Sequence, residues 1–207
     1  MKSGSRALGI AFSDSRSTSL CAGAVVRADR VVDGFAFADC TVGGADATDA
    51  VWRLVAHLDR PDVSALLLSG VAPAWFNLLD LSRIHEETGL PVLSVSFEQS
   101  EGLASAIREQ FDGEARQWRL ERYQSLPPRD ALSVNDQQLF VRAIGAETDN
   151  LASSDEDADG APSRLAPDTE AARIVRSHTP EGGRPEPLRV ARLAARAGRE
   201  FALNDDV

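Results

Sequence analysis

The chain has 207 residues, 43% hydrophobic and 26% charged, with a formal net charge of -10. That length and globular composition suit one domain able to bury a sizeable core. No apolar run approaches the length of a membrane span. The opening MKSGSRALGIAFSDS lacks the apolar centre of a signal peptide, so a cytoplasmic protein is expected.

The make-up of the charge matters more than its size. Of 22 basic residues 21 are Arg, Lys2 is the one Lys, and Asp outnumbers Glu by 19 to 13. Arg for Lys with abundant Asp suits a protein kept soluble in strong brine, a halophilic reading; a GC-rich genome would raise Arg by itself. Acidity argues against a nucleic-acid partner, but in molar salt the Debye length shrinks to about 3 Å and net charge guides poorly.

In chain order, Arg6 to Phe12 is a short apolar run, a buried strand. Leu20 to Arg27 and Val31 to Val42 follow as strands joined by a tight turn at Asp29-Arg30, which makes an antiparallel meander. In that register Cys21 opposes Ala38 and Cys40 opposes Ser19. The thiols are then roughly 7–8 Å apart on a diagonal, too far for an unstrained disulfide.

The period then changes. Ala47, Ala50, Val51, Leu54, Val55 and Leu58 recur as on a helix laid over a core. Val63 to Val71 is apolar almost throughout, as a strand covered on both faces should be. A helix from about Leu78 to Glu87 and a strand from Pro91 to Phe97 complete a parallel unit. Helices are expected around Leu103 to Gln110 and Glu114 to Leu126. A small hairpin turns at Asn135-Asp136-Gln137. Residues 150–168 read as an acidic flexible insertion, and 169–207 as C-terminal helices packed on the core.

Three antiparallel strands and then alternating helix and strand is the order of an α/β, ribonuclease H-like mixed sheet with helices on both faces. The first and fourth strands lie side by side there, and a ligand cleft forms outside their carboxyl ends. Ala11 to Asp14 and Ser69-Gly70 should line it, with the loop Val71 to Asn77 overhanging.

Metal-dependent phosphodiester cleavage needs carboxylates converging on Mg²⁺. Asp14, Asp46, Asp80 and Glu98 are the candidates near the cleft. Each has a plainer reading: Asp46 as a helix N-cap, Asn77 and Asp80 as a capping box, Asp14 in a turn, Glu98 at a strand end. Trp75 and Phe76 can stack on a base or fill the core under their loop. His57, His85 and His178 lack metal-site spacing, and His178 reads as a cation near a helix end. Arg189, Arg192, Arg196 and Arg199, at i, i+3, i+7 and i+10, form a helical stripe suited to phosphates or simply to solvent.

VGGADAT, GVAPAWFNLLD followed by TGLPVLSVS, and PEPLRVARLAA resemble the archaeal family catalogued as domain of unknown function 99, itself similar to endonuclease V. The resemblance covers most of the chain, in order, without the acidic insertion. It implies a ribonuclease H-like fold, DNA as partner, and Mg²⁺-dependent endonuclease activity on deoxyuridine-containing DNA. Asp46 and Asp80 match motif positions that would hold the metal. Asp14, three residues past the usual place, would join them. Trp75, Phe76, Asn77, Arg189, Arg192 and Arg196 would contact nucleic acid. Two positions depart from the pattern: Ala11 stands where the central carboxylate is expected, and Ser69 where the fourth strand ends in Asp. A catalytically silent binding module on the same fold is the alternative.

Overall fold

A computed structural model describes residues 4–100, 102–148, 150–151 and 163–204. The centre of the expected acidic insertion, 152–162, lies outside the described residues. β1 (Arg6–Asp14), β2 (Thr18–Arg27) and β3 (Val32–Thr41) form the antiparallel meander. Cys21 opposes Ala38 and Cys40 opposes Ser19, the expected register, but it is reached through a bulge: beside the turn Val26 faces Val32, and the register shifts between Val25 and Val26. Both thiols are free and buried. Burial pushes Cys40 up to about 12 and Cys21 well above the ordinary thiol range.

α1 (Ala47–Leu58), β4 (Val63–Ser69), a single turn α2 (Pro73–Phe76), α3 (Leu81–Thr88) and β5 (Val92–Ser96) come next. They are followed by α4 (Ala104–Gln110), α5 (Gly113–Gln124), β6 (Asp130–Val134) and β7 (Gln137–Ile144). Two short strands, β8 (Asn150–Leu151) and β9 (Arg164–Leu165), flank the acidic stretch, and α6 (Glu170–Ser177) and α7 (Glu186–Asn204) close the chain. The described strands make one nine-stranded sheet in the order β3-β2-β1-β4-β5-β7-β6-β9-β8. β1 runs parallel to β4, and β4 to β5. This is the ribonuclease H-like mixed sheet predicted by the element order.

Each face of the sheet carries a core. On one, Leu8, Ile10 and Val25 pack against Val51 and Leu54 of α1 and Leu81 and Ile84 of α3. On the other, Ala7, Leu67 and Leu93 meet Ile174 and Val175 of α6 and Leu188 of α7. Each large apolar side chain taken fully from water contributes about 1.5–3 kcal/mol. His178, expected as a cation, is instead buried at the end of α6; burial pushes it below the ordinary histidine range, so it is neutral at pH 7.

Two local devices position the elements around the carboxyl ends of β1 and β4. A Cβ at Gly9 of β1 would stand 2.2 Å from the carbonyl carbon and oxygen of Pro187. Only a residue without a side chain lets the first turn of α7 rest on the central strand. Pro187 suits that turn because its missing N–H would have had no helical partner there.

The second device is Asn77, which is 0% exposed. Its Oδ1 accepts the Ala47 N–H at 2.9 Å, and its Nδ2 donates to the Thr41 carbonyl at 2.9 Å and to Asp46 Oδ1 at 2.7 Å. Asp46 sits at the N-cap of α1 but makes no capping bond; Asn77 serves that end from 30 residues away. Asp80, not a box with Asn77, caps α3 by accepting the Arg83 N–H at 3.0 Å. That helix therefore starts at Leu81 rather than Leu78, because Leu78 and Leu79 are drawn into the core ahead of it.

Two unfolding measurements check these devices. Gly9→Ala is expected to lower stability by about 3 kcal/mol through the backbone collision, read from the denaturant midpoint. Asn77→Ala, which strands the Ala47 N–H and the groups around Thr41, should cost about as much; a loss near zero would show the hub to be dispensable.

Candidate nucleic-acid interface

The chain leaves β1 toward β2 and β4 toward β5, in opposite directions, so a crevice opens at their carboxyl ends. Ala11, Phe12, Ser13, Asp14 and Ser69 form one wall of a groove of about 740 Å³. The overhanging segment Ala72 to Phe76 and three arginines of α7, Arg192, Arg196 and Arg199, form the rest, with Leu103. The helical stripe read from the sequence thus faces this groove through three of its four members. Arg189 does not line it, and pairs with Glu186 at 2.5 Å. Arg199 donates to the Asp14 carbonyl at 3.1 Å, which ties α7 to the end of β1. Among the described residues, neither Arg192 nor Arg196 lies within ion-pair distance of a carboxylate.

The Trp75 turn is held in an unusual backbone state. Ala74, Trp75 and Phe76 have φ of 48°, 56° and 57°, three successive left-handed residues without a glycine. Such conformations cost roughly 1–3 kcal/mol each and persist only where the surroundings impose them. Here the Gly43 N–H donates to the Ala74 carbonyl at 2.7 Å. The buried Arg119 donates to the Phe76 carbonyl at 3.2 Å and to the Gly43 carbonyl at 2.6 Å. Phe76 packs edge-on between Trp75 and Phe111, and Arg119 lies 3.9 Å over the Phe111 ring. The strained turn leaves Trp75 54% exposed beside the groove.

The carboxylates are arranged differently from a metal cage. Asp14 lines the groove, with Oδ1 accepting from the Ser19 hydroxyl at 2.6 Å. Asp46 and Asp80 line neither the groove nor its neighbour. Both Asp46 oxygens accept the Thr41 N–H at 3.1 Å, and Asn77 and the Thr41 hydroxyl add bonds of 2.7 and 2.9 Å. Burial raises the Asp46 pKa, but these bonds outweigh it and hold the carboxyl below its ordinary value. Asp80 divides its oxygens between the Arg83 N–H and the Arg122 guanidinium. Asn77, fully buried, has its amide engaged within the protein. Among the described residues no three His, Cys, Asp or Glu gather where they could hold a metal ion. The residues present do not fit a Mg²⁺ site: Ala11 and Ser69 offer no carboxylate at the groove, and Asp46 and Asp80 are committed elsewhere.

A second cavity, of about 400 Å³, adjoins the groove and shares Ser69, Ala72, Leu103 and Arg192 with it. Arg129, Arg142 and Arg184 line it, and so does the candidate Glu98. None of these three arginines stands out as a motif. The available signal was Arg142, a charge inside the apolar run of β7, where a strand paired on both sides has no ordinary use for one.

A UPF0215 protein of Pyrobaculum aerophilum is 31% identical over 94% of this chain and 94% of its own length. One from Pyrobaculum calidifontis is 29% identical over 88% and 90%. The crystal structure of a protein of unknown function from Archaeoglobus fulgidus superposes with a TM-score of 0.72 at 25% identity, covering 93% of this chain and 97% of that one. Endonuclease V of Ciona intestinalis, crystallised with inosine-containing DNA, has a TM-score of 0.57 at 14% identity over 96% and 87%, a likeness of fold. The family model described as Endonuclease dU matches residues 3–154, and the chain belongs to that family.

Proposed function

We propose that the groove binds nucleic acid, with Arg192, Arg196 and Arg199 against successive phosphates and Trp75 against a base. The observation that carries this reading is the row of three guanidiniums in a concave site on a chain whose formal net charge is -10. Acidic residues dominate the sequence, yet among the described residues the groove lining holds one carboxylate, Asp14, against three arginines, of which Arg199 also pairs with Glu200 at 3.6 Å. Phosphate contacts supply register and most of the affinity. An exposed aromatic ring on a rigid turn supplies a stacking surface that tolerates any base. The family's description makes deoxyuridine-containing DNA the first substrate class to try. The inosine-containing DNA held by the endonuclease V of like fold makes a deaminated purine the second.

Strand cleavage is the second reading. The family's description and the place of Asp14 in the groove favour it; the commitments of Asp46 and Asp80 oppose it. On this arrangement the chain holds DNA without a carboxylate cage to activate water, and binding and cutting separate.

Fluorescence anisotropy across a KCl series tests the binding. Trp75→Ala should weaken it about tenfold through lost stacking. Arg196→Gln should flatten the slope of log affinity against log salt by about 1. Absence of binding by the intact protein would end the reading. In a nicking assay on uracil- and inosine-containing duplexes, Mg²⁺ or Mn²⁺ should produce no cleavage above background. Cleavage that disappears in Asp14→Asn would instead establish the second reading.

A further inference from the structure

The cavity beside the groove is built from residues far apart in sequence: the end of β4, the end of β5, Tyr123 of α5, Arg129, Arg142 of β7, Arg184 and Arg192. Three of its four guanidiniums have orienting contacts that do not neutralise them. Arg129 lies 3.9 Å over the Phe140 ring and donates to the carbonyls of Ser100 and Glu98. Arg142 donates to the Pro127 carbonyl and, at 3.3 Å, to the Tyr123 hydroxyl. Arg184 lies 4.0 Å over the Phe97 ring. Carbonyl oxygens and ring faces aim a guanidinium but carry no net charge to balance it. Among the described residues, none of the four comes within ion-pair distance of a carboxylate, and Glu98 meets Arg129 through its backbone oxygen.

Such a cluster works against itself when empty. Burial lowers the affinity of Arg129 for its proton, and Arg142 adds to that; burial does the same to Arg184, and Arg192 adds to it. Among the described residues no ion pair offsets this repulsion, although Glu98 is among the residues that line the cavity. A bound anion would supply the missing counter-charge.

We infer that this cavity binds the phosphate monoester of a nucleotide. Phosphodiesters in the groove carry one charge each and meet the α7 arginines singly. Four guanidiniums around a space of about 400 Å³ match a group with two charges and three free oxygens. Ser96, whose hydroxyl is 3.4 Å from Arg129, and Tyr123 also line the cavity and offer further hydrogen-bonding groups. Because the two sites share Ser69, Ala72, Leu103 and Arg192, a strand in the groove can place its terminal phosphate here. The strand-end form of the inference rests on the nucleic-acid reading of the groove; a free mononucleotide would use the cavity alone.

The test compares short single strands bearing a 5′-phosphate, a 3′-phosphate or only hydroxyl ends, and in parallel dAMP with deoxyadenosine, by calorimetric titration. The phosphorylated member of a pair is expected to bind at least about tenfold more tightly. Its advantage should grow between about pH 5 and about pH 7.5 as the second phosphate proton leaves. Arg184→Gln should remove the advantage, and Arg142→Gln serves if the first variant fails to fold by circular dichroism. Preference within the oligomers identifies a strand end, and preference for dAMP alone a free nucleotide; either supports the cavity. Equal affinities within both pairs overturn the inference while leaving the groove intact. If no oligomer binds but dAMP is still preferred to deoxyadenosine, the groove reading fails and the cavity stands.

Discussion

The backbone contact between Gly9 and Pro187 sets the geometry of the working end of this molecule. A helix normally stands off a sheet by the thickness of two layers of side chains; here the first turn of α7 touches the central strand, because position 9 has no Cβ to keep it away. The helix then runs along β1 and β2 with Val190 and Ala191 against Ala11 and Ala24. Its opposite edge, bearing Arg192, Arg196 and Arg199, comes to lie over the carboxyl ends of β1 and β4. A larger residue at 9 would lift the arginines off the groove as well as weaken the core.

Across the groove the same logic holds in polar form. Asn77 joins the β3–α1 turn to the segment after β4, and its three hydrogen bonds fix Asp46 as part of that joint. Arg119 and Gly43 then force three residues into left-handed backbone and bring Trp75 to the surface. An aspartate saturated with internal donors is a good structural anchor and a poor metal ligand. Asp46 is thus engaged by the same network that joins the two segments, whereas Asp80 is held separately by the Arg83 N–H and the Arg122 guanidinium.

Charge is distributed against the average of the chain. With 32 acidic and 22 basic residues, an even scatter would have put carboxylates beside most arginines. Ion pairs do occur elsewhere, as in Arg6 with Asp33 and Asp62 or Arg83 with Asp49 and Glu87. In the cavity beside the groove, Arg129, Arg142 and Arg184 are met by carbonyls and rings instead, while Arg199 of the groove pairs with Glu200 at 3.6 Å. Local potential rather than net charge governs which partner such a surface accepts.

The sequence by itself determined the main strands and helices, the pairing of β2 with β3 and the neighbourhood of β1 and β4, but not the short strands β8 and β9 within the stretch it marked as a flexible insertion. Periodicity and turn chemistry are local signals, and they placed Cys21 opposite Ala38 and Cys40 opposite Ser19, although a register shift between Val25 and Val26 separates those pairs from the turn. It also made three groove arginines legible, because one helix repeats them. The tertiary structure decided what the carboxylates do. Asp46 has the sequence position of an N-cap or a ligand, and neither could be excluded until Asn77 arrived from 30 residues on. It also decided where Arg129, Arg142 and Arg184 meet, since they lie on separate strands and loops with no common spacing. Long-range contacts of this kind depend on how the sheet and helices pack, and no short stretch of chain contains that information.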